Sequence, residues 1–435
     1  MQTPVAPRTA LDLDPTLAGR LRTEAARMRT PLYVYDGAQL EADAGAIRNA
    51  FPDPVWQRLY SVKANGLPGL VRRIAGQGFG ATAVSRGEIA LALRAGLPPG
   101  RVALEGIGKA AADLRVAVEL AVQGRPLLWV SVESEDEAGA LADVAARELS
   151  SRDRLDALIR VNPAVEPETL AGLAVGRSGS KFGVAPDEIL GVIRAGGGSK
   201  GPVRWRGLHV HVGSQLSSVA AWGSAVASVL DRFLELGPRF PDFDTLDVGG
   251  GFPAGLSEGP SPSEFAAAFA RAMDPVPRQR RPARLAIEPG RAVVARAGWL
   301  VARVLHVRDR GDAWANGAGR QVVLDAGMTE LLRPALYGAE HPMFALMSLG
   351  RPVAGDEEPS EAVVDGAICE STDRFGRALL PPLERGDLVA IGLAGAYASA
   401  MFSTYNGRPR PPEVLLEAVG GRTVLRKRGA LLALP

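Results

Sequence analysis

Tyr60-Ser-Val-Lys63-Ala-Asn-Gly66 ends a short hydrophobic run, Val55 to Val62, on a lysine followed at once by turn formers. A lysine at the carboxyl end of a buried strand is costly unless its charge is used, because desolvation lowers the amine's pKa and makes the neutral nucleophile accessible. Schiff-base chemistry needs that nucleophile. Taken alone, the stretch reads equally well as an ordinary lysine at a loop edge. Five lysines, Lys63, Lys109, Lys181, Lys200 and Lys427, stand among 50 basic residues, the rest being arginine, which favours a lysine chosen for its chemistry.

Outward from Lys63, short apolar runs alternate with polar or glycine turns and helical stretches. The runs Trp56–Val62, Phe79–Val84, Arg101–Leu104, Leu127–Val132, Leu155–Val161, Trp205–Val212, Thr245–Val248 and Arg284–Ile287 read as eight strands, with helices such as Gly87–Ala95, Ala110–Val122, Ser134–Glu148, Pro186–Ala195, Ala220–Glu235 and Pro262–Met273 between them. Such alternation builds parallel sheets. Eight units over roughly 250 residues match a (β/α)8 barrel of the TIM type. Lys63, Ser85, Asn162, His211, Gly249 to Gly251 and Glu288 to Arg291 all fall at or just beyond the strands' carboxyl ends, the face where such barrels carry active sites. A doubly wound sheet would not bring every strand end to one mouth.

After Arg291 the chain changes to alternating apolar runs broken by glycine and proline: Gly298–Arg308, Gln321–Asp325, Ala362–Ile368, Asp387–Ile391, Glu413–Glu417 and Arg422–Arg426. This predicts a second, mainly antiparallel β-domain. Tyr33–Tyr35 is expected to join it, after a helix over Asp14 to Met28 lying on the surface. The expected divisions are residues 1–36 joining the β-domain, 37–291 forming the barrel and 292–435 completing the β-domain.

With 435 residues and 46% hydrophobic content the chain can bury a large core. A net charge of +2 argues against a dedicated nucleic-acid or membrane surface. Cys369 is the lone cysteine, which excludes an internal disulfide and a cysteine-rich metal site. The N-terminus MQTPVAPRTALDLDP lacks the pattern of a signal peptide and no stretch has the length to span a bilayer. A cytoplasmic enzyme is therefore expected.

His209-Val-His211 puts two histidines on the same side of a strand. No acid or cysteine nearby in sequence completes a ligand set, so no metal is expected, and a histidine stacked on a flat ring or satisfied in the core is favoured. Asp247-Val-Gly-Gly-Gly-Phe-Pro253 reads either as a loop needing positive φ or as a phosphate cradle of backbone N–H groups. Glu288-Pro-Gly-Arg291 offers an acid for a ring nitrogen and an arginine for a carboxylate. Cys369-Glu370-Ser-Thr-Asp373 holds the thiol, either a small apolar residue or a proton donor. Gly395-Ala-Tyr397 and Ser403 to Arg410 add a tyrosine and a basic turn.

Tyr60–Asn65, His209–Gln215, Asp247–Pro253, Glu288–Arg291, Arg333-Pro-Ala-Leu-Tyr337, Cys369–Asp373, Gly395–Tyr397 and Tyr405–Arg410 together resemble, in order, the motifs of diaminopimelate decarboxylases, pyridoxal-phosphate (PLP) enzymes of the alanine-racemase-like class. The resemblance runs from about Thr30 to about Leu415 and implies the barrel plus β-domain. It also implies that Lys63 carries PLP covalently and that His211 stacks on the cofactor ring. Ser214, Gly250, Gly251, Arg291 and Tyr397 would surround the phosphate, with Glu288 on the ring nitrogen. Arg291, Arg333, Tyr337, Glu370 and Tyr397 match substrate-binding positions, and Cys369 and Glu370 match residues supplied across a homodimer interface, Cys369 as proton donor. The implied reaction is decarboxylation of meso-2,6-diaminopimelate to L-lysine and CO2. Thr82 stands where the family usually has an aspartate, and Thr169-Leu170 where it commonly has Thr-His. A decarboxylase of ornithine, lysine or a secondary-metabolism intermediate shares the cofactor residues. A racemase would leave Cys369 and Glu370 without a task. A non-catalytic regulatory binding protein would be expected to lose Lys63 or the glycine loop.

Overall fold

The computed structural model describes residues 13–150, 152–255, 259–311, 314, 319–346 and 358–430. Most of the N-terminal stretch on which the signal-peptide reading rests lies outside them. The chain divides into two compact units, Gln39–Ala254 with Gly259–Val294, and Met1–Ala38 with Gly255–Glu258 and Ala295–Pro435. No helix among the described residues is long and apolar enough to cross a membrane.

Strand β1 (Leu32–Asp36) belongs to the second unit. The first unit is a closed barrel of eight parallel strands: β2 (Trp56–Ser61), β3 (Gly80–Ala83), β4 (Val102–Leu104), β5 (Trp129–Val132), β6 (Leu155–Arg160), β7 (Val203–His209), β8 (Thr245–Asp247) and β9 (Arg284–Ile287), with β9 pairing back to β2. Every predicted barrel strand is present. Several are shorter than predicted at the carboxyl end, β7 most of all, because backbone beyond His209 leaves the ladder to form the mouth.

The connections at that mouth are short where a serine caps the next helix. Ser85 accepts the Glu88 N–H at 3.3 Å at the start of Arg86–Arg94, and Ser134 accepts the Glu137 N–H at 3.1 Å at the start of Glu135–Glu148. A hydroxyl that satisfies an otherwise unpaired helix N–H fixes where each helix begins. Ser261 does the same in a reciprocal box with Glu264 ahead of Pro262–Met273. A helix over Pro68–Gly76 joins β2 to β3.

Within the barrel unit, Leu59, Ala103, Trp129, Leu158 and Ala286 form one buried cluster. The small side chains of Ala103 and Ala286 leave room for Trp129 and Leu158, so strands contribute unequal volumes to one filled layer. Leu158→Ala leaves a cavity in this layer. It is expected to destabilise the fold by about 2–5 kcal/mol, read as a lower denaturant midpoint at unchanged slope.

The second unit is a mixed sheet of β10 (Gly298–Gly311), β11 (Gly319–Leu324), β12 (Met343–Ala345), β13 (Ser360–Asp365), β14 (Arg374–Leu380), β15 (Leu388–Ile391), β16 (Glu413–Leu416) and β17 (Arg422–Arg426) together with β1. Pairing is mainly antiparallel, with parallel ladders between β1 and β16 and between β11 and β13. β1 lies between β10 and β16, so the N-terminal segment is an internal strand here. The helix Pro15–Met28 contributes Leu21 and Ala25 to a core with Leu32, Val301 and Val414, which makes it a packed element. Strands β12 and β14 were not predicted. β12 spans three residues, and β14 buries only Phe375 and Leu380 while Leu379 beside them is exposed, so neither carries a readable apolar alternation.

Candidate active site

Lys63 sits in a single 3-10 turn, Val62–Ala64, immediately after β2. Val62 and Ala64 are buried and anchor the turn, while Lys63 itself is exposed. This corrects the expectation of a desolvated lysine, because the strand ends at Ser61 and the turn swings the side chain out of the apolar layer. The turn is tied to the loop after β9. Ser61 donates through its Oγ to the Glu288 carbonyl at 3.1 Å, and its N–H donates to the Pro289 carbonyl at 3.2 Å. A Cβ on Gly290 would meet Ser61 Cβ at 3.0 Å and Ala64 Cβ at 3.2 Å. Close packing of these two loops therefore sets the lysine turn beside Glu288-Pro-Gly-Arg291. Thr82 is buried next to them, its Oγ1 at 3.4 Å from Ser61 Oγ.

The glycine run after β8 forms the adjacent wall. Gly249 and Gly251 have φ of 68° and 109°, conformations in which a Cβ is strained. A Cβ on Gly250 would approach the Glu288 carbonyl oxygen to 2.5 Å. The turn is held by the Gly249 N–H on Asp247 Oδ1 at 2.9 Å and by the Glu288 N–H on the Gly249 carbonyl at 2.8 Å.

His211 lies two residues past β7 and accepts the Gly250 N–H on Nδ1 at 3.1 Å. That bond makes Nδ1 an acceptor and places the neutral ring's proton on Nε2. Desolvation, reinforced by the Lys63 charge, holds His211 well below its ordinary range. Arg291 is buried and donates from Nε and Nη2 to Ser214 Oγ at 3.3 and 3.1 Å. Ser214 is fixed in turn by Thr169, whose hydroxyl donates to the Ser214 carbonyl at 2.5 Å. Neighbouring Leu170 is 42% exposed.

Beneath these residues lies a buried polar cluster. His209, on β7, has Nδ1 at 2.8 Å from Ser131 Oγ, and its Nε2 is 3.6 Å from Glu288 Oε2 and 3.9 Å from Glu105 Oε2. Burial lowers His209 to about 4 against the opposing pull of Glu105, so its imidazole is neutral. Burial first and the Glu288 charge second push Glu105 and Asp247 well up. Glu288 Oε1 is buried with no hydrogen-bond partner among the described residues. The structure thus gives His209 two acids that sequence proximity did not reveal, because β4, β7 and β9 meet only when the barrel closes. Glu105 directly follows β4, Glu133 directly follows β5, and Arg160, which pairs with Glu133 at 3.0 Å, ends β6. The strand-end rule that found Lys63 and His211 applies equally to these three, which the motif reading passed over.

Cys369, Glu370, Arg333, Tyr337 and Tyr397 all belong to the second unit. Cys369 and Glu370 are exposed in a turn fastened by buried Asp373, which accepts the Ile368 N–H at 2.6 Å and the Met328 N–H at 2.5 Å. Tyr405 donates its hydroxyl to Glu370 Oε1 at 2.7 Å. Arg333 is buried at the start of the helix Arg333–Tyr337 and lies 3.3 Å from His341 Nε2, while Tyr337 is half-buried. Tyr397 adopts φ 56°, a left-handed conformation that a tyrosine takes only where its surroundings over-determine it.

The barrel residues offer an amine, an anion cradle with a buried arginine, a flat neutral ring and a carboxylate with one oxygen left over. Those are the complements of an aldehyde, a phosphate, an aromatic face and a pyridine nitrogen, so the donor set fits PLP. Residues 38–295 match the family described as pyridoxal-dependent decarboxylase, pyridoxal binding domain. The diaminopimelate decarboxylase of Aquifex aeolicus is 34% identical over 94% of this chain and 91% of its own length. That of Deinococcus radiodurans is 36% identical over 91% and 92%. The crystal structure of Helicobacter pylori diaminopimelate decarboxylase complexed with L-lysine superposes with a TM-score of 0.83 at 30% identity, covering 94% of this chain and 97% of that one. With that match across most of its length and a barrel mouth furnished for the same cofactor, the chain belongs to the pyridoxal-dependent decarboxylase family.

Proposed function

We propose that this protein removes one carboxylate from meso-2,6-diaminopimelate, giving L-lysine and CO2, with PLP held on Lys63. The observation that carries the reading is the conjunction at one mouth of the exposed Lys63 turn, the Gly249 to Gly251 wall, the Arg291–Ser214 pair and the buried Glu288 oxygen that has no partner among the described residues. When bound, PLP supplies the electron sink that accepts the bonding pair as CO2 departs. The chain's own residues supply position and charge.

Lys63, exposed on its turn, would hold the cofactor covalently through its amine. Gly250, Gly251, Ser214 and Arg291 would hold the phosphate, and the family motif at Gly395–Tyr397 adds Tyr397 to that set. His211, kept neutral, packs on the ring without adding charge, and Glu288 holds a proton at the ring nitrogen. Arg291 would orient the substrate, and the family motifs add Arg333, Tyr337, Glu370 and Tyr397 to the substrate-binding set. An arginine fork suits a carboxylate, and diaminopimelate keeps a distal carboxylate that ornithine and lysine lack. Cys369 delivers the proton to Cα from the partner subunit, so the working unit is a homodimer, acting in the cytoplasm in lysine biosynthesis. The intact Lys63 and glycine wall speak against a non-catalytic binding role.

Incubation of protein and PLP with a panel of diamino acids, followed by mass spectrometry, tests the substrate assignment. Diaminopimelate is expected to be turned over with a kcat/KM well above those of ornithine and lysine. Preferential turnover of either of those would reassign the enzyme.

A further inference from the structure

Glu105 has no part in the scheme above, yet it occupies the barrel interior at 5% exposure. Among the described residues its Oε1 has no hydrogen-bond partner, and ligand atoms of Glu105, His209 and Glu288 all lie within 4.8 Å of one another. The groups that bear on this cluster come from several strands. They are Glu288 after β9, His209 on β7, Asp247 on β8, Arg160 on β6, Glu133 after β5 and Lys63 after β2. The Arg160 charge is committed to Glu133 and lies over the Phe182 ring at 4.8 Å. Asp247 Oδ1 already takes the Gly249 N–H. Among the described residues Glu105 has neither a backbone donor nor a cation of its own, so its charged form has the least support. Two carboxyls sharing a buried site cannot both ionise.

We propose that Glu105 is a positioning residue: its protonated carboxyl donates a hydrogen bond to Glu288 and keeps that carboxylate ionised at the end of β9. The proposal rests on the reading of Glu288 as the partner of the ring nitrogen. His209, with its Nδ1 against Ser131, fixes the side of the pair facing β5 and β7 and adds no charge. In this arrangement the cluster holds one proton on Glu105 and leaves one negative charge, on Glu288, for the cofactor ring.

Glu105→Gln keeps an N–H donor of nearly the same shape, and Glu105→Leu removes the donor. In the cofactor-free protein near neutral pH, infrared spectra are expected to show a protonated-carboxyl C=O band that disappears in Glu105→Gln. In the PLP-loaded enzyme, the acidic limb of the kcat profile and of the cofactor absorbance should move up by roughly one to two pH units in Glu105→Leu, because losing a donor to a carboxylate raises its pKa. In Glu105→Gln the limb should stay near the wild-type position. Identical infrared spectra for wild type and Glu105→Gln would overturn the proposal. So would a downward move of the limb in both variants, which would mark Glu105 as a charge, or a lower kcat with an unmoved limb in Glu105→Leu, which would mark it as packing alone. Should Glu105→Leu fail to fold, the infrared band in Glu105→Gln still decides. A Glu288→Gln enzyme whose cofactor absorbance keeps the wild-type pH dependence would remove the ring-partner reading while leaving the band assignment to stand.

Discussion

Lys63→Ala is expected to lose both the yellow absorbance of the lysine-linked cofactor and covalent labelling after borohydride reduction, with turnover falling by on the order of 10³–10⁶-fold. The variant should still fold. Lys63 is exposed on its turn, and the buried contacts that anchor the turn come from Val62, Ala64 and Ser61. The phosphate wall is equally untouched, so PLP should bind without a covalent bond. Persistence of a borohydride-reducible label in Lys63→Ala would place the reactive amine elsewhere, with Lys109, Lys181, Lys200 and Lys427 as the remaining lysines.

Cys369→Ala is expected to retain the lysine-linked cofactor but to slow product formation by roughly 10²–10⁴-fold, the usual loss when a positioned general acid is removed. Its exposed place in a turn clamped by Asp373 suits a group that serves another subunit. Lys63→Ala and Cys369→Ala, each nearly inactive alone, should recover activity when their subunits exchange. At equal random mixing about half the molecules are heterodimers with one good site in two, so recovery should approach about a quarter of wild type. Native mass spectrometry of differently tagged chains would establish exchange. Exchange without recovery would show that Cys369 does not complete a partner's site.

The sequence made the barrel legible because its parallel strands are short stretches rich in apolar residues and bounded by turn formers, and because residues with chemistry fall where those stretches stop. The same feature exposed Lys63, His211, the Gly249 to Gly251 wall and Glu288. Strands β12 and β14 stayed hidden because one is too short and the other shows most of its side chains to solvent. The environment of Lys63 was misread for a related reason. Hydrophobicity gives the length of an apolar run to within a residue or two, and a one-residue difference at Ser61 decides whether the next-but-one side chain is buried or projects outward. The cluster of Glu105, His209 and Glu288 could not be read from spacing at all. Its members sit on strands separated by whole βα units, and only closure of the sheet makes them neighbours. Family motifs located the residues of the second unit. Sequence periodicity gave them no role, since they lie in turns and a short helix.

Decarboxylation by this protein is tested by the mass balance of a single reaction: purified protein, PLP and meso-2,6-diaminopimelate carrying ¹³C in both carboxylates. One labelled CO2 is expected for every lysine formed, with that lysine keeping one labelled carboxylate, and no CO2 from the Lys63→Ala enzyme under the same conditions. Stereoisomerised diaminopimelate without labelled CO2, or labelled CO2 at an undiminished rate from Lys63→Ala, would contradict it.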